Sequence, residues 1–279
     1  MVRLHRRLFK DAVMRLVATG LALIALAMMA WILITLIVKG SNALSISILY
    51  LPMGAPDTPS GLANAIVGSL IQVALATFVA APLGVLAGTF LSEMGQSSKL
   101  GASVRFINDV LLSAPSILIG LFIYDVAVRP FSGYSAIAGA LALSIVILPV
   151  VVRSTEDMLR LVPGSLREAA FALGAPQWKV VVSVLWRAGR AGIVTGLLLA
   201  LARAAGETAP LLFTSLGNSS WSSSLTQPMS SLPTAIYQYA GSSSQSWVDL
   251  SWAGALVITA GVLILNITSR LILAGAGRK

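Results

Sequence analysis

Six apolar runs, at residues 16–38, 62–91, 104–128, 135–152, 189–213 and 251–273, recur along this chain with short polar segments between them. Each is 18 residues or longer. A helix rises about 1.5 Å per residue, so roughly 20 residues cross the ~30 Å hydrocarbon layer of a bilayer. Inside that layer every backbone N–H and C=O has to find a partner within the protein, and runs of this length meet the demand as helices. The expectation is an all-α polytopic membrane protein with six transmembrane helices. Composition agrees. Apolar side chains make up 57% of the 279 residues and charged ones 10%, whereas a soluble domain carries about 25% charged residues. A water-soluble enzyme is thereby excluded.

The chain has no cysteine, which removes disulfide frameworks, thiolate metal sites and cysteine nucleophiles together. Its one histidine, His5, sits among Arg3, Arg6, Arg7 and Lys10 and reads as part of a basic end. Without a second histidine there is no HExxH zinc site, and an internal Ser-His-Asp arrangement lacks its base. No metal and no cofactor are expected. The net charge of +9 would suggest nucleic acid, but its distribution argues otherwise. With the amino end assigned to the cytoplasm, sixteen of the nineteen lysines and arginines fall on the inner side. The positive-inside rule then sets both termini in the cytoplasm. The first apolar run continues unbroken to Val38, far beyond the 7–15 residues of a signal-peptide core, so it reads as a retained anchor.

Two outer segments interrupt the runs. Residues 41–61 hold Pro52, Pro56 and Pro59, and the serine-rich residues 214–250 contain a short helical pattern at 232–240 after Ser231 and Pro233. Trp247 and Trp252 read as headgroup-belt residues. Gly84 with Gly88, and Gly192 with Gly196, are small-residue pairs suited to close helix packing. Pro82, Pro115 and Pro149 are expected to kink their spans.

The long inner loop, residues 153–190, carries the most local information. Ser165 and Glu168 have capping-box spacing, and Leu166, Ala169, Ala170 and Leu173 form one apolar stripe at i, i+3, i+4 and i+7. Gly174 is positioned to end this helix in a left-handed conformation, and Pro176 to open a second helix through Trp178 and Val181. Spacing alone leaves two readings open: a hairpin lying on the membrane face, or an apolar knob that docks in a partner's groove.

Ionisable groups inside spans are costly and mark either a pathway or a paired network. Arg203 and Glu207 lie four residues apart in the fifth run. Either they neutralise each other while the helix packs, or Arg203 lines the route of an anion with Glu207 holding it. A planar guanidinium suits bidentate contact with phosphate oxygens. Arg153, Glu156, Asp157 and Arg160 make a plus, minus, minus, plus row, read as a salt-bridged extension of the fourth helix, with Arg153 also a candidate gate at the inner mouth. Asp109 is expected to pair with Arg105, and Asp125 with Arg129.

Glu168-Ala169-Ala170, three residues, then Gly174 resembles the EAA loop of the inner-membrane permeases of ABC importers. That family closes the loop with Ile-x-Leu-Pro, where this chain has Val184, Leu185, Trp186 and Arg187. GLANAIVGSL (61–70), SAPSILIGLFIY (113–124), LPVVVRSTEDMLRLVP (148–163), SLREAAFALG (165–174) and GETAPLLFT (206–214), in that order, resemble the phosphate permeases of the same importers. The resemblance implies a type I importer fold with a permease domain over 62–273. Residues 1–61 would form an amino-terminal tail, anchor and outer loop, and 274–279 a cytoplasmic tail. It also implies a coupling role for Glu168, Ala169, Ala170 and Gly174, with Arg203, Glu207 and Arg153 on the substrate pathway. The implied partners are a dimer of the ATPase PstB, the sister permease PstC, the periplasmic phosphate-binding protein PstS and phosphate itself, in a bacterial inner membrane. No Gly-Lys dipeptide occurs, so no P-loop exists in this chain and ATP hydrolysis belongs to a separate subunit. The alternatives are a one-component secondary anion transporter, a non-transporting membrane scaffold or sensor that uses the inner loop for docking, or an ABC permease for another oxyanion such as sulfate.

Overall fold

The computed structural model describes residues 2–131 and 133–276, and among these every regular element is helical. Arg278 and Lys279 of the expected carboxyl tail lie outside the described residues, as do the side chains of Arg3, His5, Arg6 and Arg270. The first apolar run is the middle of α1 (Val2–Ala43), 42 unbroken residues or about 63 Å, twice the hydrocarbon thickness. A single turn, α2 (Ser47–Tyr50), leads to α3 (Ala63–Glu93), which carries Pro82 within it.

The third run departs from expectation. It forms α4 (Lys99–Ser113), capped by the Ser98 hydroxyl accepting from the Gly101 N–H at 2.9 Å, and α5 (Ser116–Ile123). The two limbs meet at 103°. Pro115 is more than a kink: Ala114 and Pro115 take extended ψ values of 133° and 130°. A residue before proline disfavours the helical region, and proline itself has no N–H to continue the ladder. α5 runs on through a wide π-turn, where Arg129 N–H donates to the Tyr124 carbonyl five residues back at 2.9 Å.

α6 (Ala136–Arg160) starts at the expected residue, with Ser135 as cap, and continues eight residues past Val152. α7 (Gly164–Ala172) follows, then α8 (Gln177–Val180), which passes through a π-turn at Val181–Leu185 into α9 (Trp186–Ala205). The second arm of the hairpin in residues 153–190 is therefore the start of the fifth span, a continuous helix from Gln177 to Ala205. That span ends at Ala205 instead of Phe213. The remaining residues form the separate α10 (Ala209–Thr214). α11 (Leu232–Ala240) appears where the sequence placed it, with a capping box between Ser231 and Thr234, and α12 (Gln245–Ala276) closes the chain. Among the described residues five helices are long and apolar enough to cross a membrane, and the bent α4–α5 pair makes six if it crosses as one span.

α3 and α6 form the central pair. A Cβ on Gly84 would sit 2.7 Å from Val151 Cβ, and one on Gly88 2.6 Å from the Val152 carbonyl. Lipid tails give helices no hydrophobic reason to associate, so close backbone approach at glycine supplies the packing. α9 covers another side of α6, with Gly192 against Met158 and Gly196 against Ser154. At the end of the bundle away from α7, α11 packs with Ile48, Leu62 and Ala253. Trp247 belongs to this cluster and faces the protein instead of a headgroup belt: it stacks on Tyr239 at 4.7 Å and donates to the Gly54 carbonyl at 3.2 Å. Trp252 lies under the Lys39 ammonium at 5.1 Å.

Candidate functional site

The residues singled out by sequence occupy three levels of the bundle. The first is α7 and its turn. The chain enters α7 from Pro163, whose carbonyl accepts from Leu166 N–H at 3.2 Å. The helix thus begins one residue before Ser165, which lies inside the first turn and caps nothing, so the expected capping box is absent. The other end matches expectation. Gly174 has φ +75° with open space around its Cβ position, so the glycine is needed for backbone conformation and not for room. Gly174 N–H donates to Phe171 O at 2.9 Å and Ala175 N–H to Ala170 O at 3.2 Å, the two bonds of a Schellman turn.

No residue of α7 is buried. Ala170 alone of the predicted motif leans on the apolar cluster of Leu159, Val162, Val180 and Leu185. Glu168 and Ala169 are exposed, and Glu168 makes no ion pair among the described residues. Around them Leu166, Phe171, Leu173 and Trp178 are exposed at 44%, 49%, 88% and 68%. An exposed apolar patch of this kind is a feature of surfaces that meet another protein or a membrane.

The second level holds the charged row of α6, which is salt-bridged along the helix as expected and is also tied to α4 by pairs that were not expected. Arg153 bonds Asp157 at 3.2 Å and reaches across to Asp109 of α4 at 3.8 Å. Arg105, expected to pair with Asp109, instead donates to Glu156 at 2.7 Å. Glu156 also pairs with Arg160, and its carboxylate is 3% exposed. Asp125 and Arg129 pair at 3.7 Å on the surface, as expected.

Arg203 and Glu207 make the third level. Arg203 stands in the last turn of α9, and Glu207 lies beyond the helix, in the break before α10. Shared helical spacing therefore does not bring them together, yet the Arg203 Nε donates to Glu207 Oε1 at 3.3 Å. The carboxylate is largely covered and the guanidinium is 45% exposed, which leaves donors of Arg203 available to a ligand. Arg153 is not part of this site. Ser154 lies level with Gly196, and Arg203 stands seven residues, about 10 Å, further along α9. Among the described residues no cluster of His, Cys, Asp or Glu could hold a metal ion.

Sequence reasoning missed two groups. Arg167 forks onto Glu93, the last residue of α3, at 2.8 and 3.1 Å; an acid at a span end with no local partner was the available signal. Asn64 and Gln72, amides inside an apolar run, fasten the loop after α10. Asn64 donates to the carbonyls of Asn218 and Ser219 at 2.9 and 3.0 Å and accepts from Met53 N–H at 3.0 Å. Gln72 donates to Met229 O at 3.2 Å.

A bundle of this order, with a broken span, a break after the fifth and an exposed helix between the fourth and fifth, has the fold of an ABC importer permease. The methionine ABC transporter MetNI in an inward-facing conformation superposes with a TM-score of 0.62 at 19% identity, over 76% of this chain and 95% of the solved one. The chain belongs to the family of binding-protein-dependent transport system inner membrane components, whose family model matches residues 80–276, and within it to the PstA permeases. The phosphate transport system permease protein PstA of Pasteurella multocida is 49% identical over 96% of this chain and 95% of its own length. That of Haemophilus influenzae is 51% identical over 89% and 88%.

Proposed function

We propose that this permease carries inorganic phosphate inward through the cytoplasmic membrane of a bacterium, as half of a pathway completed by a sister permease of the PstC type. The observation that carries the coupling part of this reading is α7: a helix with no buried residue, an unpaired Glu168 and a collar of exposed Leu166, Phe171, Leu173 and Trp178. Such a helix is suited to a groove on a partner, and the partner is a dimer of the PstB-type ATPase, on which ATP hydrolysis takes place. Glu168, Ala169, Ala170 and Gly174 form the coupling element in the permease domain, residues 62–273. Both termini lie in the cytoplasm, in keeping with the basic residues on that side.

On the outer side a PstS-type binding protein delivers phosphate. Arg203, half exposed and oriented by Glu207, offers a guanidinium to the phosphate oxygens. Arg153, tethered to Asp109 and Asp157, guards the inner mouth. ATP binding closes the ATPase dimer and moves α7. The pathway then opens toward the binding protein, and hydrolysis returns it to the inward-facing state. The test is radiolabelled phosphate uptake in cells lacking the protein, complemented with wild type or Arg203→Gln, with sulfate as control. Phosphate uptake restored by wild type but not by the variant supports the reading. Phosphate uptake that does not depend on the protein refutes the substrate assignment.

A further inference from the structure

α7 is joined covalently to α6 by Leu161–Pro163 and to α8 by Leu173–Pro176, and it packs against α8 and the turn at Val181–Leu185. A load on α7 therefore reaches α6 and α9 directly. The helices α3 and α4 have no covalent link to α7 and otherwise follow it only through their packing on α6 and α9. Their direct tie to α7 is the Arg167 side chain, whose donors reach α3, the end of α6 and the linker between α6 and α7. Nε and Nη2 hold both oxygens of Glu93 at the end of α3, Nη1 donates to Val162 O at 2.7 Å, and Nη2 also donates to Leu159 O at 2.9 Å. A bidentate guanidinium–carboxylate pair fixes direction as well as distance. Both partners are mostly buried, Arg167 at 21% and Glu93 at 12% exposure, beside a cleft of about 800 Å³.

A second guanidinium continues the line. Arg105 of α4 donates to Leu91 O at 2.8 Å and Gly95 O at 3.1 Å while its Nε holds Glu156. The turn between α3 and α4 is thus held by Arg167 on one side and by Arg105 on the other. α4 is the inner limb of the broken span.

We propose that the Arg167–Glu93 pair is the strut that delivers displacement of α7 to α3 and, through Arg105, to α4, so that the broken span moves with the ATPase. Arg167 is a positioning residue here; it touches neither phosphate nor ATP. The inference rests on the reading of α7 as the ATPase-docking helix, and the experiment separates the two. The full complex, with ATPase dimer, sister permease and phosphate-binding protein, is reconstituted in liposomes with wild type, Arg167→Met, Arg167→Lys, Glu93→Gln, or the exchange Arg167→Glu with Glu93→Arg. Copurification of the ATPase, ATP hydrolysis and radiolabelled phosphate carried per ATP are all read.

Arg167→Met and Glu93→Gln should copurify with the ATPase and hydrolyse ATP, while phosphate carried per ATP falls about tenfold, within the range of an ordinary coupling free energy. Arg167→Lys, which keeps charge but loses the fork, should fall between these and wild type, and the exchange should recover most of the loss. A purely structural role would lower assembly and leave the ratio intact in what assembles; that result, or a wild-type ratio in Glu93→Gln, overturns the strut. Should Arg167→Met fail to accumulate, Glu93→Gln and Arg167→Lys decide alone. Failure of the wild-type permease to copurify with the ATPase would instead overturn the docking role of α7.

Discussion

Glu156 and Asp157 are adjacent carboxylates of α6 that the sequence presents as equals, and neutralising them one at a time should have very different effects. Glu156 is 3% exposed, accepts from Arg105 at 2.7 Å and pairs with Arg160. Glu156→Gln keeps the shape, removes the charge and turns an amide N–H₂ toward guanidinium donors. Breaking a buried ion pair costs about 3–5 kcal/mol, because the surviving charge loses its partner in a poorly solvated place. Arg105 and Arg160 retain 23% and 43% exposure, so water relieves part of that cost and the lower end, about 3 kcal/mol, applies. Asp157 and Arg153 are each about half exposed, and such a pair contributes about 0.5 kcal/mol. The difference, about 2.5 kcal/mol, is a factor of roughly 60 in the folded-to-unfolded ratio. Thermal unfolding of the detergent-purified protein, followed by tryptophan fluorescence, should show a midpoint lowered by about 6 °C for Glu156→Gln and by about 1 °C for Asp157→Asn. Equal shifts, or a larger one for Asp157→Asn, would refute the assignment of Glu156 as the node joining α4 to α6.

Glu168→Lys reverses the one unpaired charge of α7, and in the assembled transporter it should abolish ATPase copurification or leave hydrolysis without transport; wild-type uptake would contradict the docking role. Gly88→Val forces side-chain atoms against the Val152 carbonyl and Thr155, and an overpacking cost of about 2 kcal/mol should lower the unfolding midpoint, whereas Gly133→Val, with open space around its Cβ position, should leave it in place. Asn64→Ala removes the donor shared by the carbonyls of Asn218 and Ser219, at about 1–3 kcal/mol for the group left unpaired, and limited proteolysis should then cut the outer loop near Ser219 faster than in wild type.

The helical class and the approximate place of every span were readable because apolar composition sets them in a bilayer. What hydropathy could not see was where those helices break. Ser113-Ala114-Pro115-Ser116 is a dip of only four residues between apolar neighbours, so a span-length window average passes over a 103° corner made by one missing N–H and one restricted ψ. The end of the fifth span was overrun for the same reason, since α10 is apolar and continues the run after Gly206. Charge pairing was legible only along a helix. Arg153 with Asp157 followed from i, i+4 spacing, while Arg105 with Glu156 and Arg167 with Glu93 cross 51 and 74 residues of chain and depend on how α3, α4 and α6 pack. The left-handed helix end at Gly174 was legible because its signal is local, a glycine in the one place where a left-handed residue is needed. The capping box at Ser165 was not, because Pro163 starts the helix a residue earlier.

The continuity of α8 with α9 has a geometric consequence. Trp178, in the exposed collar around α7, and Arg203 stand on one rod, 25 residues or about 38 Å apart. A tilt of roughly 10° about the inner end would sweep the Arg203 end sideways by about 7 Å, more than the width of an inorganic phosphate, whereas a sliding motion of the same rod would carry it no further than the push itself. Small angular changes at one end of this lever arm become ligand-sized displacements at the other.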